Sequence, residues 1–288
     1  MKILIAGLGL IGASLAKTIK KNTNHYVMGW NRTQSVSEKA LEDGAVDEIG
    51  ELSELIPKAD ITFVNFYPDA IVPFIEEHKS LFKPGSIVTD SCGIKTKICR
   101  TLEKEEFNFS FIGAHPMAGR EVSGYENSLA TLFDNASFIC TPTNAPKSKT
   151  DTLTELAREM GFARTVVTTP EHHDEMIAFT SQIAHVLACS YVLSPLAPMH
   201  TGFSAGSYRD VSRVARINGE MWSELFIANK EPLIREIDDL VQNLEKFRAA
   251  IDKEDSAELE SLMASANKIK EEIGCCLLYT SPSPRDRG

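Results

Sequence analysis

The sequence predicts an α/β domain with a doubly wound, mostly parallel sheet, followed by an all-α domain. Three observations carry this. Short apolar runs rich in β-branched residues alternate with segments of helical spacing over residues 1–169. A Gly-x-Gly-x-x-Gly run closes the first of these strands. After Pro170 the strand pattern stops and apolar residues recur at three- and four-residue steps.

The predicted strands are 2–6, 26–30, 61–66, 86–90, 109–114, 136–141 and 165–169. Helices between them imply parallel strands covered on both faces, the Rossmann arrangement. Residues 142–149 are rich in Pro, Lys and polar side chains, so they read as a loop. A helix is expected over 171–194, with Pro170 before its first turn. The next starts near Glu220, and Trp222, Leu225, Phe226, Leu233, Ile237, Leu240, Val241, Leu244, Phe247 and Ile251 form one stripe. Pro232 kinks this helix or marks a break. Asp255 or Ser256 caps a last helix that carries Leu259, Leu262, Met263, Ala266, Ile269 and Ile273 and ends at Gly274.

Stripes this long have few partners within a helical domain of about 100 residues, so a homodimer through the C-terminal helices is expected. The alternative is that the helices pack on one another. The expected division is 1–169 for the dinucleotide-binding domain and 170–274 for the helical substrate and dimerisation domain. Residues 275–288 read as a non-native or disordered tail.

Composition bounds the function. The chain has 288 residues, about two domains at roughly 150 residues each. It is 43% apolar and 24% charged, as globular proteins are. Its net charge of -10 disfavours nucleic acid as a partner, since phosphate binding needs a cationic surface. An anionic small molecule remains suitable where a few cations are focused in a cleft. No apolar run approaches the roughly 20 residues of a membrane span. The six cysteines show no CxxC pair and no metal-ligand spacing. With Met1-Lys2 leading straight into a strand, the expectation is a reduced, cytoplasmic protein.

The glycine run is Gly7-Leu8-Gly9-Leu10-Ile11-Gly12, followed by a helix over 13–20. Gly7 permits the turn, Gly9 lets the backbone approach a pyrophosphate, and Gly12 lets the helix pack close to the sheet. The helix N-terminus then presents free N–H groups to phosphate. The second strand ends in Asn31-Arg32-Thr33, where an NAD enzyme usually places a carboxylate for the ribose 2′-hydroxyl. A neutral Asn, a phosphate-pairing Arg32 and a hydroxyl at Thr33 favour NADP over NAD. Alternatively, Arg32 stacks on adenine, which suits either cofactor.

His115 follows the strand 109–114, at the sheet edge where ligands of such folds sit. An imidazole there suits proton abstraction at neutral pH. His172 and His173 open the first C-terminal helix and are expected to be exposed, without a third ligand for a metal. Ser181 and His185 stand four apart on one helix face. A glycine-rich stretch then leads to Arg209 and Arg213, which suit bidentate binding of carboxylates. Pairing with Asp210 or Glu220 is the alternative, equally open for Arg209.

The chain resembles the monofunctional bacterial prephenate dehydrogenases over roughly residues 1–274. The resemblance rests on GLGLIGASLA, GAHPMAGREVSG, PEHHDEMIAFTSQIAHVLA and GSYRDVSRVARINGEMWSELFIANKEPL, in that order. It implies oxidation and decarboxylation of prephenate to 4-hydroxyphenylpyruvate with NAD(P)+ in tyrosine biosynthesis. A form with no attached mutase or regulatory domain is expected. The family's catalytic histidine falls on His115, its second histidine on His185, and its carboxylate-binding arginine on Arg213, with Arg209 nearby. Two departures stand out. Gly93 occupies a position where the family often has a serine that bonds the catalytic histidine or the substrate, with Ser91 or a water as candidate substitutes. Of the family's paired histidines in the first long helix only His185 remains, opposite Gln182. The alternatives are an arogenate (cyclohexadienyl) dehydrogenase and an inactive NAD(P)-binding sensor. A β-hydroxyacid dehydrogenase is disfavoured, because no lysine stands in a matching motif of the helical part.

Overall fold

A computed structural model describes residues 1–120 and 122–276. Among the described residues, eight strands form one sheet: β1 (Lys2–Ala6), β2 (Tyr26–Trp30), β3 (Glu48–Ile49), β4 (Ile61–Val64), β5 (Ile87–Asp90), β6 (Ser110–Pro116), β7 (Ser137–Pro142) and β8 (Arg164–Val167). Their order is β3-β2-β1-β4-β5-β6-β7-β8. Helices α1 (Leu10–Asn22), α2 (Gln34–Glu42), α3 (Leu52–Leu55), α4 (Pro68–His78), α5 (Thr96–Leu102) and α6 (Lys147–Glu159) lie between the strands. The chain reverses its direction of winding between β1 and β4, the switch point where such sheets bind ligands.

The central strands β1, β4, β5 and β6 are mostly buried on both faces, as a parallel sheet covered by helices requires, while the edge strand β8 is largely exposed. Ile3, Ile5, Phe63, Ile112 and Phe138 face one apolar cluster, with Leu15 and Ile19 of α1 and Leu153 and Leu156 of α6. Leu4, Ala6, Val64, Val88 and Phe111 face the other, with Ile71 and Ile75 of α4 and Ile98 and Leu102 of α5. Alternate residues of one strand feed opposite clusters, which is the two-residue period of the pleat.

Neighbouring strands pair in parallel except β6 and β7. Between these two, the described residues hold only a single 3-10 turn at Tyr125–Asn127, without a crossover helix to return the chain for parallel pairing. β3 is absent from the expected strands because it is two residues long and carries no β-branched run. β6 also runs two residues further than expected, since β7 pairs His115 with Ile139 and Pro116 with Phe138. His115 therefore lies within the strand's end rather than after it. The loop expected over 142–149 is shorter, as α6 begins at Lys147.

The C-terminal part comprises α7 (Pro170–Ile177), α8 (Ile183–Val192), α9 (Gly206–Ser212), α10 (Gly219–Ala228), α11 (Lys230–Asp252) and α12 (Ser256–Cys276). The expected first helix is interrupted by a π turn at Ala178–Gln182. The expected long second helix breaks at Asn229, whose buried amide bonds Asp174 and Gln182 instead of continuing a helical face. Pro232 falls in the first turn of α11, where no intrahelical N–H bond is lost. Asp255 caps α12 by accepting from Glu258 N at 3.0 Å. That helix continues through Gly274 to Cys276, and the expectation for residues 277–288 lies outside the described residues.

Met1–Leu233 form one compact unit, and a second begins at Ile234. The second unit carries exposed apolar side chains at Val241, Leu244, Ile251, Met263, Ile269 and Ile273. Among the described residues no helix is long and apolar enough to cross a membrane.

Candidate active site

The glycine turn links β1 to α1 at the switch point. Gly7 has φ +93, a conformation that disfavours side chains, and a Cβ there would also meet Asn65 O at 2.5 Å. A Cβ on Gly12 would lie 1.9 Å from Gly7 O, so the helix can approach the turn only with glycine there. Gly9 is exposed, and a Cβ on it would meet nothing within 4 Å. It precedes α1, whose N-terminus has no side-chain cap, so N–H groups of the first turn remain for a ligand. An open backbone and uncapped donors at the switch point fit a dinucleotide pyrophosphate. Leu10 and Ile11 open the helix, while the Leu8 side chain is buried in the core and leaves only its backbone to the turn. Asn31 Oδ1 accepts from that Leu8 N–H at 3.0 Å, tying the end of β2 to the turn. Arg32 and Thr33 are exposed beside it.

The sheet edge beyond β5 and β6 holds a connected polar group. Asp90 and Lys95 form an ion pair, and neither side chain is exposed to solvent. Asp90 also accepts from Cys92 N at 2.9 Å and Ala114 N at 3.1 Å, which fixes the approach to His115. Burial opposes the Lys95 charge, but Asp90 outweighs it and keeps the ammonium protonated. His115 Nδ1 lies 2.9 Å from His173 Nε2, and His173 Nδ1 lies 2.8 Å from Asp174 Oδ1. Asp174 caps α5 across the chain, accepting from Lys95 N and Thr96 N, each at 2.8 Å. Burial pushes His115 well below the usual imidazole value of 6.5, and the neighbouring His173 and Lys95 add to this. A neutral imidazole with a free lone pair can take a proton from a substrate.

His173 corrects the expectation that both histidines of the pair are exposed. His172 is exposed beside Glu175, but His173 is 2% exposed and bonded to His115. Adjacent helical positions point about 100° apart, so one can face the sheet while the other faces water. Asp174, Asn229 and Gln182 were also missed as site residues. Asn229 donates to Asp174 O at 2.9 Å and to Gln182 Oε1 at 2.7 Å, and Gln182 donates to Leu225 O at 3.3 Å.

Of the predicted residues, Gly93 lies beside His115: a Cβ there would stand 3.9 Å from His115 Nε2 and 3.6 Å from Leu225 Cδ2. Ser91 is two residues away, half-buried, and its hydroxyl forms no hydrogen bond among the described residues. His185 Nδ1 lies 2.8 Å from Val214 O, and its ring packs against Trp222 with centroids 3.9 Å apart and planes tilted by 47°. This bond holds the 3-10 turn Arg213–Ala215 against α8, with Arg213 exposed at its start. Arg209, on α9, is exposed and pairs with Asp210 at 3.7 Å, one of the two alternatives open for it. Burial pushes the Cys92, Cys99 and Cys140 thiols up to about 12, so they are not thiolate nucleophiles at neutral pH.

Two family models match the chain. Residues 15–167 match "Prephenate dehydrogenase, nucleotide-binding domain", and residues 169–265 match "Prephenate dehydrogenase, dimerization domain". A curated prephenate dehydrogenase of Bacillus subtilis is 28% identical over 279 residues, covering 93% of this chain and 75% of its own. A cyclohexadienyl dehydrogenase of Zymomonas mobilis is 28% identical, covering 88% of this chain and 89% of its own. Among solved structures, the arogenate dehydrogenase of Synechocystis superposes with TM-score 0.82 at 29% identity, over 95% of this chain and 100% of that one. The prephenate dehydrogenase of A. aeolicus, in complex with hydroxyphenyl propionate and NAD+, shares the fold with TM-score 0.83 at 24% identity, over 95% of this chain and 98% of that one.

Proposed function

The chain belongs to the prephenate dehydrogenase family, and from that membership we propose that it converts prephenate to 4-hydroxyphenylpyruvate and carbon dioxide in tyrosine biosynthesis, reducing a nicotinamide dinucleotide. The observation that carries the reading is the placement of His115. It is held neutral at the C-terminal end of β6, in a sheet whose switch point bears an open glycine turn. When bound, the nicotinamide supplies the acceptor for the hydride of ring C4. Gly7 to Gly12 and the α1 N-terminus hold the pyrophosphate. His115 takes the proton of the C4 hydroxyl, and loss of the ring carboxylate leaves an aromatic product. Arg213 binds a substrate carboxylate, with Arg209 as a second cation nearby. His185 supports the Arg213 turn and helps place the substrate, and Ser91 and Gly93 border the space beside His115.

NADP is favoured over NAD because no carboxylate follows β2, and the exposed Arg32 and Thr33 suit a 2′-phosphate. The likeness to an arogenate dehydrogenase supports a second reading, the same chemistry on the amino acid analogue. A homodimer through the C-terminal helices is supported by their exposed apolar side chains. A cytoplasmic location accords with the free thiols of Cys92, Cys99, Cys140 and Cys189.

One assay tests substrate and cofactor together. Reduced dinucleotide is followed for prephenate and arogenate, each with NAD+ and NADP+, using wild-type protein and His115→Asn. The expected result is turnover of prephenate, faster with NADP+ at low cofactor, and a roughly 10²–10⁴-fold loss in the variant. No turnover of either ring acid overturns the reading, and wild-type turnover in the variant removes His115 as the base.

A further inference from the structure

Asp174, His173 and His115 form a chain of hydrogen bonds in which the donors and acceptors can be assigned in sequence. Asp174 receives three donors: Lys95 N and Thr96 N from the start of α5, and His173 Nδ1. Burial alone would raise its pKa, but the hydrogen bonds from His173 and Thr96 outweigh this and hold the carboxyl below its ordinary value. An ionised carboxylate only accepts, so the proton between Asp174 and His173 belongs to His173 Nδ1. His173 is buried and held below its ordinary value, hence neutral, which leaves its Nε2 without a proton. The atom 2.9 Å away, His115 Nδ1, must then be the donor. His115 in turn keeps its lone pair on Nε2. That atom borders Gly93, where a Cβ would stand 3.9 Å from it, so the glycine leaves room beside Nε2 that a side chain would take.

We propose that His173 and Asp174 are positioning residues that fix the His115 proton on Nδ1 and so make Nε2 the atom that accepts the substrate proton. The inference deepens the reaction proposed above and rests on it for the identity of the proton. The tautomer itself does not depend on the substrate. A carboxylate that orients a base in this way also fixes its tautomer in other enzymes. Here a second imidazole stands between carboxylate and base.

The test is the tautomer of His115, read from long-range proton–nitrogen NMR correlations of the full-length protein carrying 15N-labelled histidine, at neutral pH and without ligands. The chain has seven histidines, and the spectrum of His115→Asn assigns the signal. In wild-type protein Nδ1 is expected to be protonated and Nε2 bare. His173→Leu removes the acceptor, and the proton is expected to redistribute toward Nε2. His173→Gln places an amide carbonyl within reach of His115 Nδ1 and is expected to restore the wild-type pattern. In turnover, His173→Leu is expected to lose about 10²-fold or more in kcat with little change in the dinucleotide KM, and His173→Gln to recover much of it.

A wild-type His115 with its proton on Nε2 overturns the proposal, whatever the His173 variants do. A His173→Leu spectrum with an unchanged tautomer overturns it as well. Absence of turnover with either ring acid, alongside the expected tautomer, removes the reaction but leaves the assignment of the proton standing.

Discussion

Lys95 and Asp90 pair in the interior with neither side chain reaching solvent, and the same lysine's backbone N–H is capped by Asp174. The two acidic groups thus hold one residue from opposite ends, its ammonium and its amide. Lys95→Met would leave the Asp90 carboxylate buried without its cation. The expected cost is about 3–5 kcal/mol, because an uncompensated buried charge is worse than an apolar pair. Urea unfolding measures it. The double variant Asp90→Asn, Lys95→Met should regain most of the loss, and failure to do so would show that the cost lies in packing of the lysine stem.

The pH dependence follows from two neighbouring histidines, His115 half-buried and His173 buried. Burial is the main reason that both His115 and His173 sit below 6.5, and His115 well below it. A base must be neutral to act, so kcat/KM should stay flat as pH falls through 6.5 and decline only further down. Stability has the opposite sensitivity. The unfolded chain binds protons at these histidines near 6.5, before the folded chain does, so folding stability is full above that value and falls as pH drops below it. A kcat/KM profile with its acid limb at or above 6.5 would contradict the assigned environment of His115.

Much of the site was readable before the structure because some residues are tied to their own neighbours. The glycine turn is local, and β1, Gly7, Gly9, Gly12 and α1 lie within a single strand-turn-helix. His115 was legible because it closes an apolar strand. His173 was not, since its role depends on which side of α7 meets β6, a contact across 58 residues. Asn229 was hidden for the same reason: its partners are Asp174 and Gln182, 55 and 47 residues away, and its effect is to break a helix that the apolar stripe alone would continue. The antiparallel β7 depended on a missing crossover, and a long segment without one carries no local signal.

The glycines of the turn separate folding from binding. Gly12→Ala would drive a methyl into Gly7 O, so a stability loss of about 1–3 kcal/mol or more is expected. Gly9→Ala meets nothing in the chain and should change stability by less than about 0.5 kcal/mol. Its methyl would instead stand where the pyrophosphate approaches, weakening dinucleotide binding about tenfold or more, about 1.4 kcal/mol. Thermal unfolding and titration of the dinucleotide against each variant check both. Equal effects of the two substitutions on binding and on stability would contradict a separate role for Gly9.

Arg213 offers the last test, because its backbone is fixed while its head is exposed. Val214 O accepts from His185, and Ala215 O accepts from the Cys189 thiol at 3.8 Å, so the turn that carries Arg213 is anchored to α8 at two points. Arg213→Ala should therefore leave the turn in place while removing the guanidinium. Loss of a charged hydrogen bond to a substrate carboxylate is worth about 1.5–3 kcal/mol, which raises KM for the ring acid roughly 10- to 150-fold at 1.4 kcal/mol per factor of ten. The dinucleotide KM should not move, as the carboxylate belongs to the other substrate. His185→Phe keeps a ring to pack against Trp222 but loses the bond to Val214 O, so a smaller rise in the same KM is expected. Steady-state kinetics of the two variants decide the matter: an unchanged KM in Arg213→Ala removes the arginine from substrate binding, whatever His185→Phe does.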